Sequence, residues 1–159
     1  AIPILEFKAR RDPETNVRDE AIRALAGIGT TEAYDIIREL LADTTYNAGL
    51  RVTAAKMLIE NDLSPSLETI AEVVAEEWER YSSKLLERIG YYLSITEHDG
   101  LKPLFSRFLE SDELTLIIYG IRGIGRNGFS SLKPSIEQLS SEGNHRSIRR
   151  EALSALESL

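Results

Sequence analysis

Residues 17–41 read VRDEAIRALAGIGTTEAYDIIRELL, and this stretch decides the fold. Its first half carries apolar residues with the period of an α-helix, on one face: Val17, Ala21, Ile22, Ala24, Leu25 and Ile28. Its second half carries a second apolar face: Ala33, Ile36, Ile37, Leu40 and Leu41. Between them, Gly27 and Gly29 can end a helix and Thr30 or Thr31 can cap the next one. Such short helices are unstable alone in water, so each must pack against other parts of the chain.

The same unit returns along the chain with a period of about 33 residues. Residues 50–58 read LRVTAAKML, and Arg51 follows Arg18 by 33 residues. Residues 148–156 read IRREALSAL and repeat the pattern again. A worn, aromatic-rich copy lies near residues 79–109, and another copy begins at residue 114. Helix pairs that repeat at this period predict an α-solenoid, in which neighbouring units bury each other's apolar faces.

The pattern V-R-x-x-A-x-x-A-L-x-x-I-G followed by a second helix resembles the HEAT repeat. It is most similar to the short bacterial form known from phycobilisome lyase subunits. The resemblance covers nearly the whole chain, is closest at 17–41 and 148–156, and is weakest at 79–109. It implies an all-α fold, a right-handed superhelix of about four helix pairs with first helices convex and second helices concave.

We expect a single solenoid domain over residues 1–159. It divides into a half-repeat, four repeats and a second half-repeat: 1–12, 13–43, 44–76, 77–110, 111–142 and 143–159. A solenoid usually ends in a capping repeat with a polar outer face, whereas the last helix here carries Leu153, Leu156 and Leu159. We therefore expect a piece of a longer solenoid. The alternative is that the two half-repeats are native caps.

Composition excludes several classes of function. The chain has 159 residues, of which 42% are hydrophobic and 28% charged, as in a globular protein with a core. A net charge of −7 disfavours binding to nucleic acid or to anionic membranes. No apolar run approaches the roughly 18 residues that a membrane-spanning helix needs. The absence of cysteine excludes disulfides, thiolate metal sites and cysteine nucleophiles. The compartment stays undecided, with the cytoplasm favoured.

A glycine pattern at residues 123–128, GIGRNG, matches the G-x-G-x-x-G fingerprint of dinucleotide-binding folds. That fold needs a strand before the glycines, which residues 114–119 could supply, and a second strand after the following helix. No second strand is predicted, and the segment after Phe129 has a helical pattern. The glycines at 123 and 125 are therefore predicted to form a turn between helices, like Gly27 and Gly29.

A metal site is conceivable at His98, which lies between Glu97 and Asp99. One histidine beside carboxylates is a weak signal, and a solvated turn is the preferred interpretation. No serine nucleophile pattern is present either. We predict no catalytic residues, no cofactor and no enzymatic activity.

Three arginines recur in one position of the repeat: Arg18, Arg51 and Arg149. The resemblance implies that an arginine in this position bonds to carboxylates or carbonyls of its own or a neighbouring repeat. Arginine suits this role better than lysine because its planar guanidinium presents several donors in a fixed geometry. We predict that the three form a structural ladder.

The segment from Glu60 to Glu79 contains seven acidic residues and no lysine or arginine. Glu68, Glu72 and Glu76 are spaced four residues apart and therefore share one helix face, where they repel one another slightly. If second helices line the concave wall, these glutamates form an acidic strip flanked by Arg38 and Arg107. The strip would orient a basic segment of a partner protein. The alternative is an ordinary solvated face.

These observations predict a non-catalytic scaffold for protein–protein interaction or assembly. The resemblance also implies an alternative, an enzyme-associated subunit of chromophore-lyase type that cradles a substrate protein or small ligand. Trp78, Tyr81, Tyr91 and Tyr92 could then form an apolar ligand wall, although packing within an irregular repeat is the simpler interpretation. Nucleic-acid binding, a third option, would need a continuous basic concave face.

Overall fold

The computed structural model describes residues 1–159 and contains ten α-helices and no β-strand. The helices are α1 (Ile2–Arg11), α2 (Thr15–Ile28), α3 (Thr31–Ala42), α4 (Ala48–Asn61), α5 (Leu63–Glu77), α6 (Lys84–Ser94), α7 (Lys102–Phe108), α8 (Leu114–Asn127), α9 (Lys133–Leu139) and α10 (Arg146–Leu156). Short 3₁₀ turns at 99–101 and 130–132 lead directly into α7 and α9. The predicted all-α fold class is confirmed.

The chain forms two compact units, Ala1–Ile89 and Gly90–Leu159. In the first unit, α2 packs against α1, α3 and α4, and α3 packs against α1, α4 and α5. In the second unit, α8 packs against α7 and α10, and α10 packs against α9. Helices thus contact both their neighbour in sequence and the helix two positions away. This is the packing of a HEAT-like helical solenoid.

Helix α4 is the central element of the first unit. Residues around most of its circumference are buried, among them Leu50, Ala54, Leu58 and Ile59. Such extensive burial needs several neighbouring helices, and α2, α3 and α5 all contact α4. The strongly one-sided helix α3, by contrast, exposes Glu32, Asp35 and Glu39 to solvent.

The turn between α2 and α3 follows the sequence prediction in part. Gly29 ends α2 with a left-handed backbone, φ 72°, and the Thr30 hydroxyl oxygen accepts a hydrogen bond from the Ala33 amide at 3.2 Å. The predicted threonine cap is therefore confirmed at Thr30. Gly27, by contrast, lies within α2 and does not belong to the turn.

Replacing Thr30 with alanine should lower the free energy of unfolding by about 1 kcal/mol, because the Ala33 amide loses its cap. Thr31→Ala is the matched control, since Thr31 is exposed and makes no cap hydrogen bond. Urea unfolding followed by circular dichroism measures both variants. Equal stability of the two variants would contradict the assignment of Thr30 as the cap.

The predicted turn at Gly123 and Gly125 is wrong. Helix α8 runs without interruption from Leu114 to Asn127, and the left-handed residue that ends it is Gly128, φ 63°. A Cβ atom on Gly123 would lie inside the contact distance of three ring atoms of Phe105. The glycine is therefore needed for close helix packing. Because residues 114–119 are helical, the dinucleotide-fold interpretation is also excluded.

Candidate functional site

Three glutamates form what we call the acidic face of α5: Glu68, Glu72 and Glu76. All three side chains are exposed, and α5 itself contains no lysine or arginine. The only guanidinium that approaches them belongs to Arg51, whose Nη2 lies 3.8 Å from Glu76 Oε1. Glu68 and Glu72 therefore present uncompensated carboxylates to solvent.

Arg38, predicted beside this strip, is engaged within the first unit. Its Nη1 donates hydrogen bonds to Asp62 Oδ2 at 2.6 Å and to Ser66 Oγ at 3.1 Å, and its Nη2 donates to Asp35. Partial burial opposes the charged form, but the hydrogen bonds to Asp35 and Asp62 outweigh it and raise the pKa of Arg38. Arg38 thus ties α3 to the start of α5.

Arg107, the other predicted flank of the strip, lies on α7 in the second unit and is half-buried. The structure brings Arg38 together with α5 inside one unit, and it places Arg107 in the other. A role of either arginine in partner binding stays a prediction.

Two of the three repeating arginines occupy equivalent positions. Arg18 Nε donates to the Ala9 carbonyl at 3.0 Å, and Arg51 Nε donates to the Leu41 carbonyl at 2.8 Å. Each arginine of a first helix therefore reaches the C-terminal end of the preceding second helix, where unpaired carbonyls carry negative partial charge. Arg149 differs, because its buried Nε has no hydrogen-bond partner.

Arg51 also takes part in a buried ion pair. Only 3% of Arg51 and 4% of Glu77 is exposed, and Nη1 of the arginine lies 3.5 Å from Oε1 of the glutamate. Glu77 Oε2 accepts a second contact from Arg80 Nε at 3.0 Å. Arg51 thus joins the C-terminal ends of α3 and α5 through α4.

A cleft of about 750 Å³ opens in the second unit, between the C-terminal parts of α6, α8 and α10. Its lining is mainly polar and includes Tyr91, Ile95, Glu97, Arg126, Ser154 and Ser158. The cleft is not among the sites predicted from the sequence, because its three walls are far apart along the chain. The spacing of Arg122 and Arg126, one turn apart near the end of α8, was the signal that could have indicated it.

One ion pair in the lining of the cleft joins α8 to α10. Arg122 donates two hydrogen bonds to Glu151 of α10, from Nη2 at 2.6 Å and from Nε at 3.1 Å. The hydrogen bond to Glu151 raises the pKa of Arg122 despite partial burial. Parallel bonds of this kind fix the orientation of both groups as well as their separation.

The four aromatic residues of the ligand-wall hypothesis are divided between the two units. Trp78 and Tyr81 belong to the first, and the Tyr81 side chain is 95% exposed. Tyr91 and Tyr92 belong to the second, where their ring centroids lie 5.6 Å apart in an edge-to-face arrangement. Only Tyr91 lines the cleft.

His98 acts as a cap. Its Nδ1 accepts a hydrogen bond from the Gly100 amide at 2.9 Å, and its own amide donates to Asn127 Oδ1 at 2.8 Å. No group of three or more histidine, aspartate or glutamate side chains is arranged to hold a metal ion.

Comparison with known proteins identifies the family of this chain. A model of HEAT repeats matches residues 2–86, more than half of the chain, whereas no curated protein matches it. None of the helices combines the length and apolar character that a membrane crossing requires. HEAT repeats commonly serve as scaffolds for protein interaction and are generally not enzymes. The short bacterial subtype stays a prediction. Because its helices pack as in a HEAT-like solenoid and the HEAT-repeat model matches more than half of its length, the chain belongs to the HEAT-repeat family.

Proposed function

We propose that this chain is a non-catalytic interaction scaffold that binds a basic segment of a partner protein on the acidic face of α5. The observation that carries the proposal is the row of exposed carboxylates at Glu68, Glu72 and Glu76, with no cation on the same helix. Like charges four residues apart on a helix destabilise it. No contact within the unit offsets that cost at Glu68 or Glu72, and a basic partner would.

The charge of the first unit supports the same partner chemistry. Residues 1–89 contain eleven lysines and arginines and seventeen aspartates and glutamates, a net charge of −6 out of the −7 of the whole chain. A surface of one sign attracts an oppositely charged segment before contact and raises the rate of association. The acidic face of α5 is where such a segment would finally bind.

The spacing of the glutamates favours an extended partner segment. Carboxylates four residues apart on a helix are separated by about 6 Å along its axis. In an extended chain, alternate side chains on one face are separated by about 6.6 Å. A segment with lysine or arginine at every second position can therefore pair with Glu68 and Glu72, while Glu76 remains partly neutralised by Arg51.

The test is charge reversal with a defined probe. A blocked peptide of alternating lysine and serine should bind the unmodified chain in a salt-dependent manner. Glu68→Lys, Glu72→Lys and Glu76→Lys together should weaken binding about tenfold or more, since each exposed pair contributes up to about 1 kcal/mol. Fluorescence anisotropy of the labelled peptide at several salt concentrations measures both effects.

The matched control changes the net charge equally at other exposed positions: Glu20→Lys, Glu60→Lys and Glu142→Lys. This control should keep most of the affinity. If the two triple variants lose affinity equally, the peptide responds to overall charge and not to α5. In that case the proposed binding surface is wrong.

A further inference from the structure

The cleft of the second unit contains an arginine that its own helices leave without a carboxylate. Arg122 and Arg126 both line the cleft from α8. Arg122 pairs with Glu151, which follows it by 29 residues on α10. The residue that follows Arg126 by the same 29 residues is Ala155. One helical turn after Glu151, α10 thus presents the methyl group of Ala155 and no carboxylate.

Close helix packing explains why no longer side chain stands at that position. A Cβ atom placed on Gly125 would lie 3.1 Å from Cβ and 3.2 Å from Cα of Ala155, and Ala155 is only 8% exposed. The backbones of α8 and α10 therefore approach closely, and a glutamate at 155 would not fit. No ion pair within the unit includes Arg126, which is exposed, so its guanidinium is open to a carboxylate from a ligand.

The rest of the lining suits the residue that would carry that carboxylate. Ser154 on α10 and Ser158, just after its end, are exposed, and each offers a hydroxyl donor. On the opposite wall, Tyr91 and the half-exposed Ile95 offer apolar surface. Glu97 lies on that wall too, and it would repel a second acidic residue. The volume of about 750 Å³ is in the range of clefts that hold small ligands, which have the size of one or two side chains.

We propose that this cleft binds a peptide segment of a partner protein that carries a single acidic side chain. The carboxylate accepts hydrogen bonds from the Arg126 guanidinium and from the hydroxyls of Ser154 and Ser158, and a neighbouring apolar side chain packs on Tyr91 and Ile95. This surface differs from the acidic face of α5 in location and in the charge it selects. Either proposal can therefore be wrong without affecting the other.

The chain allows a residue-specific test because it contains only ten glycines. With ¹⁵N-labelled glycine, Gly125 and Gly128 report the cleft, whereas Gly27, Gly29 and Gly49 report the first unit. The probe is a pool of blocked hexapeptides with one glutamate each, compared with the same pool carrying glutamine. We expect saturable shifts of Gly125 and Gly128 with the glutamate pool at millimolar concentration, and much smaller shifts with the glutamine pool.

Arg126→Gln should weaken binding of the glutamate pool about tenfold, the effect of losing a charged hydrogen bond. Arg150→Gln is the matched control, because Arg150 is exposed on α10 outside the cleft lining. Ser158→Glu supplies a carboxylate from the chain itself and should also block the pool. Equal shifts with the two pools, no shift at all, or equal weakening by Arg126→Gln and Arg150→Gln would each overturn the proposal.

Discussion

Gly123→Ala should destabilise the chain by about 2 kcal/mol, although alanine is the better helix former. Within a helix, replacement of glycine by alanine normally gains about 1 kcal/mol. At Gly123 the added methyl group would overlap three ring atoms of Phe105, which is fully buried and cannot move towards solvent. Overpacking of this kind typically costs about 1–3 kcal/mol, and the severity of the overlap places this case at or above the upper end.

Gly27→Ala is the matched control, since Gly27 also lies inside a helix but has no neighbouring atom within 4 Å of the position that a methyl group would take. That variant should be stabilised by about 0.5–1 kcal/mol, so the two substitutions are expected to have opposite signs. Urea unfolding of both variants is the measurement. A stabilised Gly123→Ala would show that α8 and α7 can separate without cost.

A double-mutant cycle identifies the cause. Phe105→Leu alone should be destabilising, because it removes buried ring atoms from the core. In the Gly123→Ala background the smaller side chain leaves room for the methyl group, so the second substitution should cost less there. A coupling energy of at least about 1 kcal/mol between the two positions is expected for residues in direct contact. Simple additivity would assign the effect of Gly123→Ala to something other than Phe105.

The two Gly-Ile-Gly sequences explain why sequence patterns predict one part of the fold and miss another. The helix period and the apolar faces are sufficient for the fold class, because burial of those faces needs stacked helix pairs. The pattern at 123–125 matches Gly27 and Gly29 only by its letters. In the structure, the residue equivalent to Gly29 is Gly128, which follows it by 99 residues, three periods of 33. The position of a glycine within the 33-residue repeat therefore predicts the end of a helix better than the Gly-Ile-Gly pattern does.

What the sequence could not indicate depends on contacts between distant helices. The role of Gly123 is set by the ring of Phe105, and Ala155 leaves α10 without a carboxylate 29 residues after Arg126. The acidic face of α5 was accessible from sequence, because spacing within one helix determines which side chains lie together. Of the cleft, only the pair Arg122 and Arg126 lies within one helix and could be found in this way, because the other walls come from distant parts of the chain.

The second large effect is expected at Arg51. Arg51→Ala should lower the free energy of unfolding by about 3 kcal/mol, the order found when one partner of a buried ion pair is removed. The substitution takes away the donor to the Leu41 carbonyl and leaves the buried Glu77 with Arg80 as its remaining cation. It also opens a cavity in α4, the most buried helix of the first unit.

Arg18→Ala tests whether burial or repeat position sets the size of this effect. Arg18 makes the equivalent bond to Ala9 but is half-exposed, so water can solvate the freed carbonyl and a cost of about 1 kcal/mol is expected. Arg23→Ala, an exposed arginine on the same helix, should change stability by less than about 0.5 kcal/mol. Urea unfolding ranks the three variants.

Arg51→Lys separates geometry from charge. Lysine keeps the positive charge near Glu77. Its single ammonium group cannot face the Glu77 carboxylate and also take the place of the Nε–H that donates to the Leu41 carbonyl. We therefore expect Arg51→Lys to recover less than half of the stability lost in Arg51→Ala. Full recovery would mean that charge alone matters at this position, and an unchanged stability of Arg51→Ala would remove the arginine ladder as a source of stability in this fold.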